Sequence, residues 1–223
     1  SSDPAKAVSL RLSTFAIIKA ASDWDDANGY MIQLGGKDKT FTVDEVGSNY
    51  YMEGGCIDGS YKAKGVEVAG GLETSVRYVS IKFVTQGIHI ALNDESPSSY
   101  ADIETVNIVG NNKKGSIGVF IEGSDNTFTN MRIASVMTGF KLESGTNILR
   151  NIHPLFIFEP ALEGLFTESV AFLDEGGTNW YDNCYSDQFS TGFEVGHRTL
   201  AFFNDCFAMW YTKKGGVNTA IKA

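Results

Sequence analysis

A short pattern of residues returns along this chain at nearly regular intervals, and this repeat restricts the fold more than any other feature. Its clearest copy is NTFTNMRIASVMTGFKL at residues 126–142, typical of three short strands with an asparagine turn between the first two. Looser copies begin at Thr105, Asn147, Asn179 and Phe202. One such unit cannot bury its own apolar face, so the units must stack into a solenoid.

Two sets of positions keep the repeat in step. The residues that open the third strand lie 34, 22, 31, 21, 31, 22 and 24 residues apart: Met31, Gly65, Gly87, Gly118, Gly139, Val170, Gly192 and Gly216. The turn between the first two strands is assigned to Gly55, Ser80, Asn107, Asn130, Asn151, Asn183 and Asp205. Asn and Asp tolerate the left-handed backbone of a sharp bend. The sequence therefore predicts an all-β, right-handed parallel β-helix of about eight coils of 21–24 residues, with three loop insertions.

The recurring asparagines Asn107, Asn130, Asn151 and Asn183, the GGCIDG segment at 54–59 and the glycine-opened strands resemble one superfamily. It is the pectate-lyase-like group of right-handed β-helices, which includes polygalacturonases, pectate lyases and phage tailspikes. The resemblance spans nearly the whole chain and implies that the sheet built by the third strands forms a saccharide-binding groove. It matches no specific enzyme family. The Gly196-His197-Arg198 segment is not the G-H-G motif of polygalacturonases, their N-T-D, paired-aspartate and R-I-K motifs are absent, and no set of outward aspartates suits the calcium of a pectate lyase.

Length and charge limit the possible partners. The 223 residues are expected to form a single β-helix domain, 1–223, and the unclear caps at both ends suggest a part of a longer protein or of an oligomer. A formal net charge of −9 argues against nucleic acid as a partner and, more mildly, against a polyanionic sugar. No apolar run is long enough to span a membrane, so no membrane partner is expected.

Three cysteines are too few for a disulfide framework. Cys184 and Cys206 follow the turn of adjacent coils, which leaves a bridge between them as one interpretation and two buried thiols as the simpler one. Several residues that follow the turn are predicted to form one inward stack: Cys56, Ile81, Ile108, Met131, Ile152, Cys184 and Cys206.

The third strands should present a row of side chains to solvent, because successive residues of a strand point to opposite faces. Counting from the opening residue gives Gln33, Glu67, His89, Phe120, Lys141, Phe172 and Glu194. Rings stack on sugars and polar groups bind hydroxyls, so the predicted substrate-binding residues are Glu67, His89, Phe120, Lys141, Phe172, Glu194 and nearby His197. The alternative is an ordinary exposed ladder.

Three carboxylates follow this row in successive coils: Glu122, Glu143 and Asp174. Adjacent coils lie about 4.8 Å apart and alternate coils about 10 Å apart, which brackets the carboxyl separations of retaining and inverting glycosidases. Crowding also raises the pKa of a carboxyl, as a general acid requires. These three are the predicted catalytic residues, with Glu175 and Asp125 as further candidates and a solvated acidic edge as the alternative. No metal or cofactor is expected.

The three insertions are placed at 37–50, 93–100 and 155–169. The third is strongly apolar, and it is expected to fold back near Lys141 and Phe172 and to wall a cleft above Glu143 and Asp174. Two classes of function follow. The first is a glycoside hydrolase for a neutral or weakly charged oligo- or polysaccharide, with a lyase less expected. The second is a non-catalytic glycan-binding or adhesion β-helix. The resemblance implies an extracellular or cell-surface location for either.

Overall fold

The computed structural model describes residues 9–36, 50–92, 98–157, 165–211 and 218–223. Within these ranges the chain forms parallel strands and two short 3₁₀ turns, at Asp26–Asn28 and Phe166–Glu168. Each coil supplies strands to three walls, and each strand pairs with its counterparts in the coils before and after it. The chain is a parallel β-helix. No helix of the described residues has the length and apolar character needed to cross a membrane.

Sheet one contains the first strand of each coil. Its strands are β1 (Ser9–Arg11), β4 (Tyr51–Glu53), β7 (Ser75–Arg77), β10 (Asp102–Glu104), the first half of β13 (Thr127–Ala134), the first half of β15 (Ile148–Leu155), β17 (Thr178–Asp182) and β20 (Leu200–Asn204).

Sheet two contains the second strand of each coil. Its strands are β2 (Ile17–Lys19), β5 (Cys56–Asp58), β8 (Ser80–Val84), β11 (Asn107–Gly110), the second halves of β13 and β15, β18 (Tyr185–Asp187) and β21 (Phe207–Met209). Because β13 and β15 run through the bend, sheets one and two are joined into one 14-stranded sheet.

Sheet three contains the third strand of each coil and is separate, with 8 strands. They are β3 (Tyr30–Leu34), β6 (Lys64–Val68), β9 (Gln86–Ile90), β12 (Ile117–Ile121), β14 (Thr138–Leu142), β16 (Val170–Asp174), β19 (Thr191–Val195) and β22 (Thr219–Lys222). Eight strands in this wall mean eight coils in the described chain, as the repeat predicts.

The bend between sheets one and two is made by residues with left-handed backbone. The φ angles are +57° at Tyr78, +53° at Thr105, +56° at Asn130, +53° at Asn151, +52° at Asn183 and +51° at Asp205. The predicted asparagine turn is thus correct for the last four. It is wrong for Ser80 and Asn107, which lie two residues further on and pair with each other on β8 and β11.

A second ladder of asparagines lies inside the helix, at the corner where sheet three leads into sheet one. Asn126, Asn147 and Asn179 are fully buried. The Oδ1 atom of Asn147 accepts hydrogen bonds from the backbone N and from Nδ2 of Asn126, at 3.1 and 3.0 Å, and Asn179 Oδ1 accepts equivalent bonds from Asn147 at 3.0 and 3.2 Å. These amides satisfy buried backbone donors and bind each coil to the next.

Glycines line sheet three where it approaches sheet two. A Cβ on Gly118 would lie 2.5 Å from the carbonyl oxygen of Gly139 and 2.5 Å from a methyl group of Ile133, so only glycine fits. The same column holds Ala171 in the sixth coil and Ala220 in the eighth, because Phe140 pairs with Phe172 and Phe193 pairs with Ile221. The assignment of Val170 to this column is therefore wrong by one residue. The other misplaced residue, Gly216, lies outside the described ranges.

The core is apolar, but it is not the single stack that the sequence predicts. Met131, Ile152 and Cys184 are fully buried, whereas Cys206 is half-buried. Ile81 and Ile108 are buried in a different column, in which Ile108 pairs with Ile133. Cys56 is half-buried and pairs with the outward residues Ile17 and Ser80, so its inward assignment is wrong. All three thiols are free.

Candidate functional site

The outward row of sheet three is ordered by strand pairing. Its members, in register from the first coil to the eighth, are Gln33, Glu67, His89, Phe120, Lys141, Leu173, Glu194 and Lys222. The structure therefore brings five predicted binding residues into one row: Glu67, His89, Phe120, Lys141 and Glu194. The row is mostly polar, with two apolar members, Phe120 in the fourth coil and Leu173 in the sixth.

Phe172 does not belong to this row. It is 1% exposed, and its ring stacks between Phe140, at 5.9 Å, and Phe193, at 4.7 Å, inside the helix. The sequence-based register of the sixth coil, counted from Val170, is wrong by one residue, so it placed Phe172 on the outward face of the strand. Leu173 is the residue that points outward there. Phe172 is a core residue that cannot contact a ligand bound on sheet three.

Asp174 also lies inside the helix, because it pairs with the buried Leu142. It is 1% exposed. Its Oδ2 atom accepts a hydrogen bond from the Tyr181 hydroxyl at 2.7 Å, and Oδ1 accepts from Asn179 Nδ2 at 3.0 Å and from Gly176 N at 3.1 Å. Burial raises the pKa of Asp174, whereas these hydrogen bonds lower it. Asp174 therefore terminates the buried asparagine ladder and is not part of an exposed acidic rim.

The acidic rim of sheet three is formed instead by Glu122, Glu143 and Glu175. Each directly follows the last residue of its strand, and each backbone N–H donates to the preceding coil: Glu122 to Ile90, Glu143 to Ile121 and Glu175 to Leu142. Glu143 and Glu175 are exposed, and Glu122 is half-buried. Two of the three predicted rim carboxylates are thus neighbours, and Glu175 takes the place assigned to Asp174.

His89 lies between two carboxylates of this face. Its Nε2 atom is 2.6 Å from Glu122 Oε2, and its Nδ1 atom is 3.3 Å from Glu67 Oε1. Glu67 is only 5% exposed although it belongs to the outward row. A neutral imidazole donates to one carboxylate only, whereas the protonated ring donates to both. The three groups form a hydrogen-bonded chain that runs from a buried carboxylate to a rim carboxylate.

The rings of this face stack on one another along the helix axis. The His89 ring stacks on Phe120, with centroids 5.0 Å apart, and on Tyr30, 5.5 Å apart. The Lys141 Nζ atom lies 5.0 Å from the centre of the Phe120 ring. Both faces of Phe120 are therefore covered, and only the ring edge is left for a ligand. A sugar cannot stack on Phe120 in the way that the sequence suggests.

Lys141 connects the ring stack to the rim. Its Nζ atom forms an ion pair with Glu143 Oε1 and lies 3.9 Å from Glu175 Oε2. Further along the row, Glu194 pairs with Lys222. His197 lies in an exposed turn after β19, outside the row and beyond Glu175.

The described ends of the apolar insertion pack at the opposite end of the sheet-three strands. Phe156 and Phe166 are buried, with ring centroids 5.6 Å apart, and Phe156 also contacts Phe189. Phe166 precedes β16, whereas the acidic rim follows the ends of the strands. The middle of the predicted cleft wall, 158–164, lies outside the described residues, as do 37–49 and 93–97 of the other two insertions.

Sequence reasoning gave Glu175 only as a further candidate near the rim, and it missed Tyr30 as a member of the ring stack. A correct register in the sixth coil identifies Glu175, since it follows Asp174 as Glu143 follows Leu142. Tyr30 has no such signal, because it reaches His89 across two coils. The sequence also gives no sign that Glu67 is buried. Within the described part of the chain, no group of His, Cys, Asp and Glu side chains has the arrangement of a metal site.

Comparison with other proteins adds no relative to these observations. No protein-family model, no curated protein and no solved structure matches this chain. The assignment as a parallel β-helix therefore depends on the strand pairing itself.

Proposed function

We propose that this protein is a glycoside hydrolase for a neutral or weakly charged glycan, with Glu122 as general acid and base and Glu143 as nucleophile. The observation that carries the proposal is the hydrogen-bonded chain Glu67–His89–Glu122, which ends beside the Glu143–Lys141 ion pair. Two neighbouring carboxylates with different partners are what double-displacement glycoside hydrolysis requires. The polar rest of the row would bind sugar hydroxyls.

The two carboxylates have different neighbours, as two groups with separate catalytic roles need. Glu143 forms an ion pair with the Lys141 ammonium group, which would hold its carboxylate in place for attack. Glu122 is instead hydrogen-bonded to the His89 imidazole, at 2.6 Å. Glu67, on the other side of the ring, fixes its orientation. Pairs of carboxylates with distinct surroundings are the usual way in which one becomes the acid and the other remains charged.

The spacing of the two strands that carry these carboxylates favours a retaining mechanism. Glu122 and Glu143 follow Ile121 and Leu142, which are paired in register on adjacent strands. Such backbones lie about 4.8 Å apart, close to the roughly 5–5.5 Å between the carboxyl groups of retaining glycosidases. In the first step the Glu143 carboxylate would bond to the anomeric carbon, the glycosidic C–O bond would break, and Glu122 would give its proton to the leaving oxygen. In the second step water would displace Glu143 and give its proton to Glu122.

The fold supports a carbohydrate as substrate. Parallel coils with an asparagine bend and buried asparagine stacks are features shared with the pectate-lyase-like superfamily, whose members act on or bind glycans. We include this protein in that group as part of the proposal. Action on polysaccharides would place it outside the cell or at a cell surface.

A second candidate is a glycan-binding or adhesion β-helix without catalysis. It is favoured by the fact that both proposed catalytic carboxylates already have partners: Glu122 contacts His89, and Glu143 contacts Lys141. In that case the same row binds saccharide hydroxyls and nothing is cleaved.

A screen of neutral oligo- and polysaccharides, with analysis of products and of their anomeric configuration, tests the proposal. The hydrolase predicts cleavage with retained configuration, which Glu143→Gln abolishes while binding persists. Glu175→Gln is the matched control, since Glu175 is a rim neighbour more distant from Lys141. Binding without cleavage by the wild type would favour the second candidate, and absence of both would reject a glycan function.

A further inference from the structure

A concave surface lies on sheet two and the adjoining bend, on a different wall of the helix from the sheet-three row. Its cavity has a volume of about 370 Å³ and is lined by Thr105, Asn107, Asn130, Met131, Arg132, Asn151, His153 and Tyr185. The lining contains an arginine, a histidine and three primary amides but no carboxylate. This is unusual in a chain with 27 acidic residues and 18 lysines and arginines, so the cavity is a local donor-rich site on an acidic protein.

Arg132 is the charged group of this cavity. It is exposed on β13, in register with Asn107 on one side and His153 on the other. Three of the other four arginines pair with carboxylates: Arg11 with Glu53, Arg77 with Asp102 and Arg150 with Asp182. Arg132 forms no ion pair with any residue in the described ranges. Its guanidinium group is thus available to an anion from solution.

Neutral donors lie beside this guanidinium. The Nδ2 atom of Asn151 donates to Oδ1 of Asn130 at 2.6 Å, so the oxygen of Asn130 is occupied by its neighbour in the ladder. The N–H groups of Asn130 are the part of that amide left for a ligand. Asn107 adds a second amide on the other side of Arg132 in the same outward row.

His153 and Tyr185 form the other side of the cavity. Their rings stack with centroids 3.9 Å apart, and the Tyr185 hydroxyl is 2.8 Å from His153 Nδ1. Burial lowers the pKa of His153, which favours the neutral ring, and in a neutral ring Nδ1 would accept the hydrogen bond from the hydroxyl. The ring proton is then on Nε2, 3.6 Å from Asp187, whose carboxylate is not part of the cavity lining. The two rings thus provide a rigid, uncharged wall.

We propose that this cavity binds an organic carboxylate. The Arg132 guanidinium would donate two hydrogen bonds to it in a bidentate arrangement, and the side-chain amides of Asn130 and Asn107 would donate from either side. The planar fork of arginine matches a carboxylate, and amide N–H groups complete the ring of donors. The site is independent of the proposed hydrolase, because no residue of the sheet-three row takes part. Its ligand is either a free organic acid or an acidic sugar residue, which present the same group.

Titration of the full chain with acetate, glucuronate, glucose and inorganic phosphate tests this site, by calorimetry or by NMR at constant ionic strength. We expect saturable binding of acetate and glucuronate in mutual competition, and none of glucose. Preference for glucuronate would indicate an acidic saccharide as the ligand, and equal affinity would indicate a free acid. Arg132→Gln should weaken binding at least about tenfold, and Arg132→Lys should weaken it less, since it keeps the charge but loses the fork.

Arg150→Gln is the matched control, because Arg150 is an exposed arginine on sheet one that is already paired with Asp182. It should bind both acids as the wild type does. The proposal is overturned if neither acid saturates the wild type, if Arg132→Gln binds as tightly as the wild type, or if phosphate binds more tightly than either acid. Arg132 is exposed, so an unchanged thermal melt is expected for its variants and is checked in parallel.

Discussion

The Tyr181 hydroxyl donates a hydrogen bond of 2.7 Å to the Asp174 carboxylate inside the core of the β-helix. Both side chains are 1% exposed. Asn179 and Gly176 donate to the other carboxylate oxygen. A carboxyl group thus occupies a position of the apolar interior, where burial outweighs the hydrogen bonds and raises its pKa.

This raised pKa predicts a specific dependence of stability on pH. The folded protein keeps the Asp174 proton at pH values where the unfolded chain, with a pKa of about 3.9, has lost it. The contribution of Asp174 to stability is therefore greatest below the unfolded pKa and declines as pH rises through the folded one. Asp174→Asn cannot titrate, so the free energy of unfolding of the wild type minus that of the variant should fall as the pH rises above the unfolded pKa of about 3.9.

Denaturant unfolding of both proteins at several pH values measures this difference. The contributions of the other carboxylates to the free energy of unfolding are the same in both proteins and cancel. A constant difference would show that the pKa of Asp174 is unchanged by folding. A difference that grows with pH would mean that the pKa is lowered, as expected for an ion-paired carboxylate.

Asn147 should contribute much more to stability than an exposed asparagine. It is fully buried, and its Oδ1 atom accepts two hydrogen bonds from Asn126. Asn147→Ala leaves buried donors without partners and should lower the free energy of unfolding by about 2–3 kcal/mol. Asn107→Ala is the control, because Asn107 is exposed on a strand, and its effect should stay within about 0.5 kcal/mol. Equal losses in urea melts would contradict the assigned role of the buried ladder.

Thr105 is a β-branched residue with a φ angle of +53°, at the bend position that Asn130 and Asn151 occupy in the next two coils. Left-handed backbone is unfavourable for a β-branched residue and tolerated by asparagine. Thr105→Asn should therefore raise the free energy of unfolding by about 1 kcal/mol and extend the exposed ladder by one amide. Thr129→Asn, on a strand of the adjacent coil, should give no such gain. A loss of stability in Thr105→Asn would show that its side chain has a role of its own.

The repeat was sufficient to predict the parallel β-helix, the number of coils and most of the outward row of sheet three. Its two kinds of error had different consequences. In the fourth coil the predicted turn residue, Asn107, lies two residues after the true one, Thr105. A shift of two residues leaves each side chain on the same face of the strand, so Ile108 is still buried as predicted. In the sixth coil the predicted opening residue, Val170, lies one residue before the true one, Ala171. A shift of one residue places inward side chains on the outward face and outward side chains on the inward face. Phe172 and Asp174 were misassigned for this reason alone.

That second error has a physical cause. The marker of the third strand is a glycine that is required where a branched residue of sheet two comes close, as Ile133 does at Gly118. The sixth coil has Ala171 in this position and so lacks the marker. The contacts between side chains of the outward row could not be predicted from the repeat. The contact of His89 with Glu122 and the coverage of Phe120 depend on rotamers, which a strand pattern does not specify.

Glu122 is proposed as the general acid and Glu143 as the nucleophile. The dependence of the cleavage rate on the leaving group tests these two roles most directly. The substrate pair is the glycan cleaved in the screen and an activated aryl glycoside of the same sugar, whose leaving group needs no protonation. Glu122→Gln should lose about 10²- to 10⁴-fold in kcat on the glycan but far less on the aryl glycoside, and Glu143→Gln should lose activity on both. Undiminished cleavage of the glycan by either variant, or an equal loss on both substrates in Glu122→Gln, would contradict the account.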